Sequence, residues 1–174
     1  MTDKTSNRIY LIGFMGSGKS HIGKLLSLKL GYNFIDLDAE IEKKGMSISK
    51  IFNQKGEDYF RNLEREILLE TNNSTKTIIS CGGGTPCFFD NMEWMNRNGI
   101  TIFLNPATEV LVERLKQEKE KRPLLLNKSE DEIQSLIEQL LRSRMEFYQK
   151  ADYQILEVDE VEIVDEILEK TLSI

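Results

Sequence analysis

Arg8-Ile9-Tyr10-Leu11-Ile12, apolar from Ile9 on, passes directly into Gly13-Phe14-Met15-Gly16-Ser17-Gly18-Lys19-Ser20. The second stretch fits G-x-x-x-x-G-K-[ST], the pattern of a phosphate-binding loop. The run before it reads as a strand. Behind it, Ile22, Leu25, Leu26 and Leu30 recur at helical spacing, and Gly31 stands where a C-cap belongs. Strand, glycine loop and helix form the context in which such a loop works. Glycines let backbone N–H groups turn inward around phosphate oxygens, and the helix N-terminus adds a positive dipole end. Gly16, Ser17 and Gly18 are therefore expected to cradle phosphates. Lys19 would reach the β- and γ-phosphates of a nucleotide, and the Ser20 hydroxyl would ligate Mg²⁺. The competing reading is a glycine turn ahead of a surface helix. A chance match in a chain of this size is below about one in a hundred. His21, the only histidine, follows the motif as an early helix residue beside the nucleotide, with no companion metal ligand.

The same alternation continues outward. Asn33 to Leu37 reads as a second strand. Ala39 to Gln54 reads as two short helices broken at Gly45, with Ser47 as N-cap. Glu57 to Thr71 is a longer helix with Phe60, Leu63, Ile67 and Leu68 on one face. Lys76 to Ser80 is strand-like and ends at Gly82, Gly83 and Gly84. A helix over Asp90 to Arg97, a strand over Ile100 to Leu104 and a helix over Thr108 to Gln117 follow. Glu118 to Lys128 is charged and unpatterned. Ser129 and Glu132 have the spacing of a capping box and open a further helix. Tyr153 to Leu156 and Val161 to Leu172 give a last strand and helix. Five strand–helix alternations predict an α/β sandwich, its sheet mostly parallel and covered by helices on both faces. No repeat or linker divides residues 1–174, so one domain is expected.

The chain has 174 residues, with 23 Lys+Arg against 29 Asp+Glu, a net charge of −6. That balance disfavours a broad nucleic-acid-binding face. An anion site must then gather its cations and N–H groups at one place. Two cysteines cannot build a disulfide framework, and Cys81 and Cys87 read as small packing residues. Residues 1–8 are polar, and Ile9 to Met15 is too short for a spanning helix and lacks a signal-peptide layout. The expectation is a cytoplasmic protein without membrane contact.

Asp36 and Asp38 close the second predicted strand, two residues apart, and strand alternation would turn both toward one side. Two carboxylates near a γ-phosphate suit a metal and a hydroxyl nucleophile, although a solvated strand end would look the same. Here the chain resembles the shikimate kinase family. The resemblance rests on the phosphate loop, Ile35-Asp36-Leu37-Asp38, and the run from Ile48-x-x-Ile51-Phe52 through Gly56-Glu57 to Phe60-Arg61-x-x-Glu64. It continues through Cys81-Gly82-Gly83-Gly84, Lys121-Arg122-Pro123-Leu124-Leu125 and Arg144-x-x-x-Tyr148, in order over residues 8 to about 155.

The resemblance implies a three-layer α/β sandwich with a five-stranded parallel sheet. It implies substrate-binding helices over approximately 38–72 and a mobile lid over approximately 117–129. The implied activity is transfer of the ATP γ-phosphate to the 3-hydroxyl of shikimate, on the way to chorismate and aromatic amino acids. Asp36 would help hold Mg²⁺ with Ser20. Asp38 would bind the acceptor hydroxyls and take a proton. Arg61 and Arg144, with Gly82, Gly83 and Gly84, would bind shikimate. Arg122 would close over the transferring phosphate from the lid, and Arg114 would lie on adenine. A monomer is implied. The chemistry is coherent, because a guanidinium offers a planar fork to a carboxylate and phosphoryl transfer needs mainly positioning and charge. Arg61 and Arg144 could instead be solvated helical charges, as Glu64 and Glu146 nearby would allow, and Arg122 a surface charge beside the charge-rich run Lys116 to Lys121. The family commonly has Thr where His21 stands, and its usual longer loop after the last strand is here the short Glu157 to Glu160. A kinase for gluconate, another polyol or a nucleoside monophosphate shares the loop and lid. A non-catalytic nucleotide-binding module shares only the loop.

Overall fold

The computed structural model describes residues 8–118, 125, 127–156 and 159–172. Five strands form one sheet: β1 (Arg8–Ile12), β2 (Asn33–Asp36), β3 (Thr77–Ser80), β4 (Ile100–Leu104) and β5 (Tyr153–Ile155). The order is β2-β3-β1-β4-β5, and all four pairings are parallel. Seven α-helices are described: α1 (Lys19–Leu30), α2 (Leu37–Lys43), α3 (Ile48–Glu70), α4 (Asn91–Asn98), α5 (Thr108–Gln117), α6 (Glu130–Tyr148) and α7 (Glu160–Leu172).

Period-2 alternation on the central strand divides the core. Ile9 and Leu11 of β1 join Ile22 and Leu26 of α1 and Ile163, Val164 and Ile167 of α7. Tyr10 and Ile12 point the other way, toward residues of α3 to α6 such as Ile67, Met95, Leu115 and Ile137. Each cluster buries one face of the sheet, so the three-layer sandwich expected from the alternation is present.

Local rules account for the element ends. Gly31 takes φ 66° and its N–H donates to Ser27 O, ending α1. The Ser47 side chain accepts from Lys50 N at the start of α3. Ser129 and Glu132 form the reciprocal capping box of α6, with Ser129 N donating to Glu132 Oε2 at 2.7 Å. The expected separate helices either side of residue 55 are both present, joined across a kink within α3. Gly56 lies inside it at φ 82°, ψ 172°, which breaks the helical path into two segments.

One local expectation changes. β2 stops at Asp36, which is the N-cap of α2, and Asp38 is already in that helix's first turn. Strand alternation therefore does not orient the pair. A cap does, with Asp36 Oδ1 accepting from Asp38 N at 3.1 Å and Ala39 N at 3.4 Å. Most of the expected lid, residues 119–124 and 126, and with it Arg122, lies outside the described residues. Leu125 at its far side is fully buried in the core. Among the described residues no helix is long and apolar enough to cross a membrane.

Candidate active site

In a parallel sheet the C-terminal strand edge collects the connecting loops, and ligands bind in the crevice where the strand order reverses. β1 is that strand, flanked by β3 and β4. The turn after it holds residues 13–18, and a cavity of about 450 Å³ opens there. Gly16, Ser17, Gly18, Lys19, Ser20, His21, Asp38, Gly83 and Arg114 all line it.

The loop conformation depends on glycine. Gly13 takes φ +141°, and a Cβ there would lie 2.5 Å from the Leu104 carbonyl oxygen, a backbone atom. Gly13→Ala is expected to cost about 2 kcal/mol or more through strain and overpacking. Urea unfolding of the two proteins side by side measures it.

Lys19 is 8% exposed. Its Nζ donates to Gly13 O at 3.0 Å and Phe14 O at 2.8 Å, which fixes the ammonium inside the loop. Ser20 Oγ donates to Asp36 Oδ2 and lies 3.1 Å from Ser80 Oγ. Strand register explains this cluster, because Asp36 pairs with Ser80 across β2 and β3. The three groups are hard oxygen donors beside the glycine loop, a set that suits Mg²⁺ and its preference for one or two protein ligands.

After β3, the three glycines lie against charged side chains. A methyl group at Gly82 would lie 2.7 Å from Glu64 Oε1 and 3.0 Å from Asp38 Oδ1. At Gly83 it would be 3.5 Å from Arg144 Nη1, and at Gly84 2.7 Å from Arg61 Nη1. The triple glycine thus lets Asp38, Glu64, Arg61 and Arg144 meet around one backbone segment. Tyr148 Oη donates to Gly83 O at 2.5 Å and holds that segment. Burial pushes the Tyr148 phenol far above its usual range, so it stays a donor.

Arg61 is not a solvated charge. It is 8% exposed, and Nη1 donates to the buried Glu64 Oε2 at 2.8 Å. Nε and Nη2 donate to Glu57 Oε1 at 3.2 and 3.1 Å. Arg144 is half-buried, its guanidinium 5.5 Å from the Phe14 ring centre. Arg114 Nη1 donates to Gly16 O at 3.1 Å and borders the cavity on the α5 side. His21 is exposed, and its Nε2 lies 2.8 Å from Glu160 Oε1 across the cavity mouth. Both cysteines are free. Burial raises both thiols, Cys81 far above its usual range and Cys87 to about 11, which keeps them neutral.

Sequence reasoning gave no role to Glu64, Ser80, Glu160 or the Tyr148 hydroxyl. Only Glu64 carried a readable signal, its i+3 spacing from Arg61. The others depend on strand register or on long-range packing.

A strand–phosphate-loop–helix at a topological switch point, beside a carboxylate and two converging guanidiniums, defines a P-loop phosphotransferase for a small anionic acceptor. A family model described as "Shikimate kinase" matches residues 15–172. A shikimate kinase of Phocaeicola vulgatus is 46% identical over 156 residues, 89% of each chain. The crystal structure of shikimate kinase from Bacteroides thetaiotaomicron superposes with a TM-score of 0.89 at 42% identity, covering 96% of this chain and 98% of that one. A shikimate kinase from Acinetobacter baumannii, solved in complex with shikimate, gives 0.88 at 32% identity, covering 98% and 95%. The chain belongs to the shikimate kinase family, ATP-dependent kinases that phosphorylate shikimate.

Proposed function

We propose that this chain transfers the γ-phosphate of ATP to the 3-hydroxyl of shikimate, in the cytoplasm, as a step toward chorismate and aromatic amino acids. The observation that carries the reading is the meeting of Arg61 and Arg144 at Gly83-Gly84, beside Asp38 and the phosphate loop. Two guanidiniums suit a fixed carboxylate, whereas a neutral sugar or polyol offers them only uncharged hydroxyl acceptors.

In this reading the ATP phosphates lie along Gly16 to Ser20, with the base toward Arg114 and His21. Ser20 and Asp36 hold Mg²⁺, which when bound neutralises phosphate charge. Arg61 and Arg144 bind the shikimate carboxylate, with Gly82, Gly83 and Gly84 giving its ring close approach. Asp38 accepts a hydrogen bond from the 3-hydroxyl and takes its proton. The oxygen then bonds to the γ-phosphorus as the bond to the bridging oxygen of ADP breaks. Lys19 steadies the charge that moves onto the phosphates, and Arg122 adds a second cation from the lid.

Two-dimensional ¹H–³¹P NMR of the product tests the regiochemistry, and a phosphate coupled to the proton on C3 is expected. Phosphate on another hydroxyl contradicts it. Arg144→Ala is expected to raise the KM for shikimate about 10- to 100-fold, as for loss of one charge-assisted contact, with the KM for ATP little changed. Steady-state kinetics varying each substrate measures it. A change confined to ATP would remove Arg144 from the carboxylate site.

A further inference from the structure

Arg61 is held by more than its own helix. The segment after the triple glycine, Thr85 to Phe88, reaches it directly through Phe88 and indirectly through Thr85 and Glu64. Thr85 is fully buried, and its Oγ1 donates to Glu64 Oε1 at 2.6 Å. The other oxygen of that carboxylate accepts from Arg61 Nη1. Phe88 lays its ring against the guanidinium, with Cζ 3.9 Å from the ring centre, closer than the 5.0 Å to Phe60.

These contacts divide the guanidinium's donors. Of its five N–H groups, Glu57 takes two and Glu64 takes one, so two remain among the described residues. Their direction depends on where the guanidinium plane stands. Glu64 sets its position in the plane, and the Phe88 ring sets its tilt. Glu64 can rotate about its own side chain unless its second oxygen is held, and Thr85 holds it. The segment is itself pinned, because Asn91 Nδ2 donates to Thr85 O at 2.8 Å and Arg65 Nη1 to Asn91 Oδ1 at 2.5 Å. Phe89 next to it takes φ +52°, a conformation a bulky side chain adopts only where surrounding contacts over-determine it.

We infer that Thr85 and Phe88 are positioning residues for Arg61, aiming its remaining N–H pair at the acceptor carboxylate. The inference rests on the reading of Arg61 as a shikimate ligand. Neither side chain needs to touch shikimate. Thr85 acts through Glu64, and Phe88 through the face of the guanidinium.

Thr85→Val keeps the shape and deletes the donor. Phe88→Leu keeps an apolar contact and deletes the aromatic face. Each is expected to raise the KM for shikimate about 5- to 30-fold, the range for losing one hydrogen bond to a charged group or one cation–π contact. The KM for ATP and kcat should stay within about two-fold, because only ground-state acceptor binding is touched. Thr85→Ser and Phe88→Tyr restore the hydroxyl and the ring and should return the KM to near the parent value. Arg61→Lys belongs in the same series, since an ammonium cannot present the fork. If Arg61→Lys raises the shikimate KM while Thr85→Val and Phe88→Leu do not, the positioning inference fails and the acceptor reading stands. If Arg61→Lys leaves the KM unchanged, the acceptor reading itself fails. Equal losses in both KM values and kcat, without rescue by Ser or Tyr, would mark general structural damage and overturn the inference.

Discussion

Asp38→Asn is expected to fold as the parent protein does and to lose about 10²- to 10⁴-fold in kcat, the usual contribution of a positioned general base. The substitution keeps shape and hydrogen-bonding capacity but removes the proton acceptor. Asp38 is in the first turn of α2, its backbone N–H bonded to Asp36, and its carboxylate lies against Gly82 at the cavity wall. The cap that orients the helix uses Asp36 Oδ1 and the Asp38 backbone, so it survives in the variant. The KM for ATP should change little, because the role proposed for Asp38 is toward the acceptor hydroxyl. Single-turnover phosphate transfer, with the melting temperature as control, measures the effect. Near-normal turnover would take Asp38 out of the mechanism.

Lys19→Met should lower kcat/KM by about 10²- to 10³-fold, as for removal of one preorganised electrostatic partner of the transition state. The ammonium is almost completely buried and is anchored by the Gly13 and Phe14 carbonyls. Its charge is therefore already in place before reaction, at little reorganisation cost. Methionine preserves the apolar stem but leaves those carbonyls without this donor, so a stability loss of about 1–3 kcal/mol should accompany the kinetic loss. The two variants are separable. Asp38→Asn acts on the chemical step with stability intact, whereas Lys19→Met weakens nucleotide binding, the chemical step and the loop together. Isothermal titration with a non-hydrolysable ATP analogue distinguishes them.

Much of this arrangement is legible in the amino-acid sequence, for identifiable reasons. The apolar alternation of β1 sorts Ile9 and Leu11 from Tyr10 and Ile12, and it is this sorting that makes two cores on one sheet. Caps at Gly31, Ser47 and Ser129 are local chemistry and stood where their residue types indicated. The phosphate loop is contiguous, so its residues could be named one by one. The proposed acceptor side is not contiguous. Arg61 is expected there only through resemblance, because a charged helix residue followed by Glu64 and Arg65 looks solvated. Its burial comes from Phe88 and Gly84, more than twenty residues away in sequence. The Asp36/Asp38 pair failed as strand alternation for a similar reason, since a helix cap ended the strand one residue early. Ser80 and Glu160 reached Ser20 and His21 through sheet register and helix packing, which no local pattern encodes.

The proposed residue roles all depend on the identity of the acceptor. It is tested most directly by coupled release of ADP from Mg²⁺- and ATP-supplied protein, with shikimate, gluconate and nucleoside monophosphates assayed side by side. ADP release that depends on shikimate and exceeds that with every other acceptor is expected. Folded protein that releases no ADP on addition of shikimate, or that turns over gluconate or a nucleoside monophosphate faster, would contradict the assignment of Arg61 and Arg144 to a shikimate carboxylate.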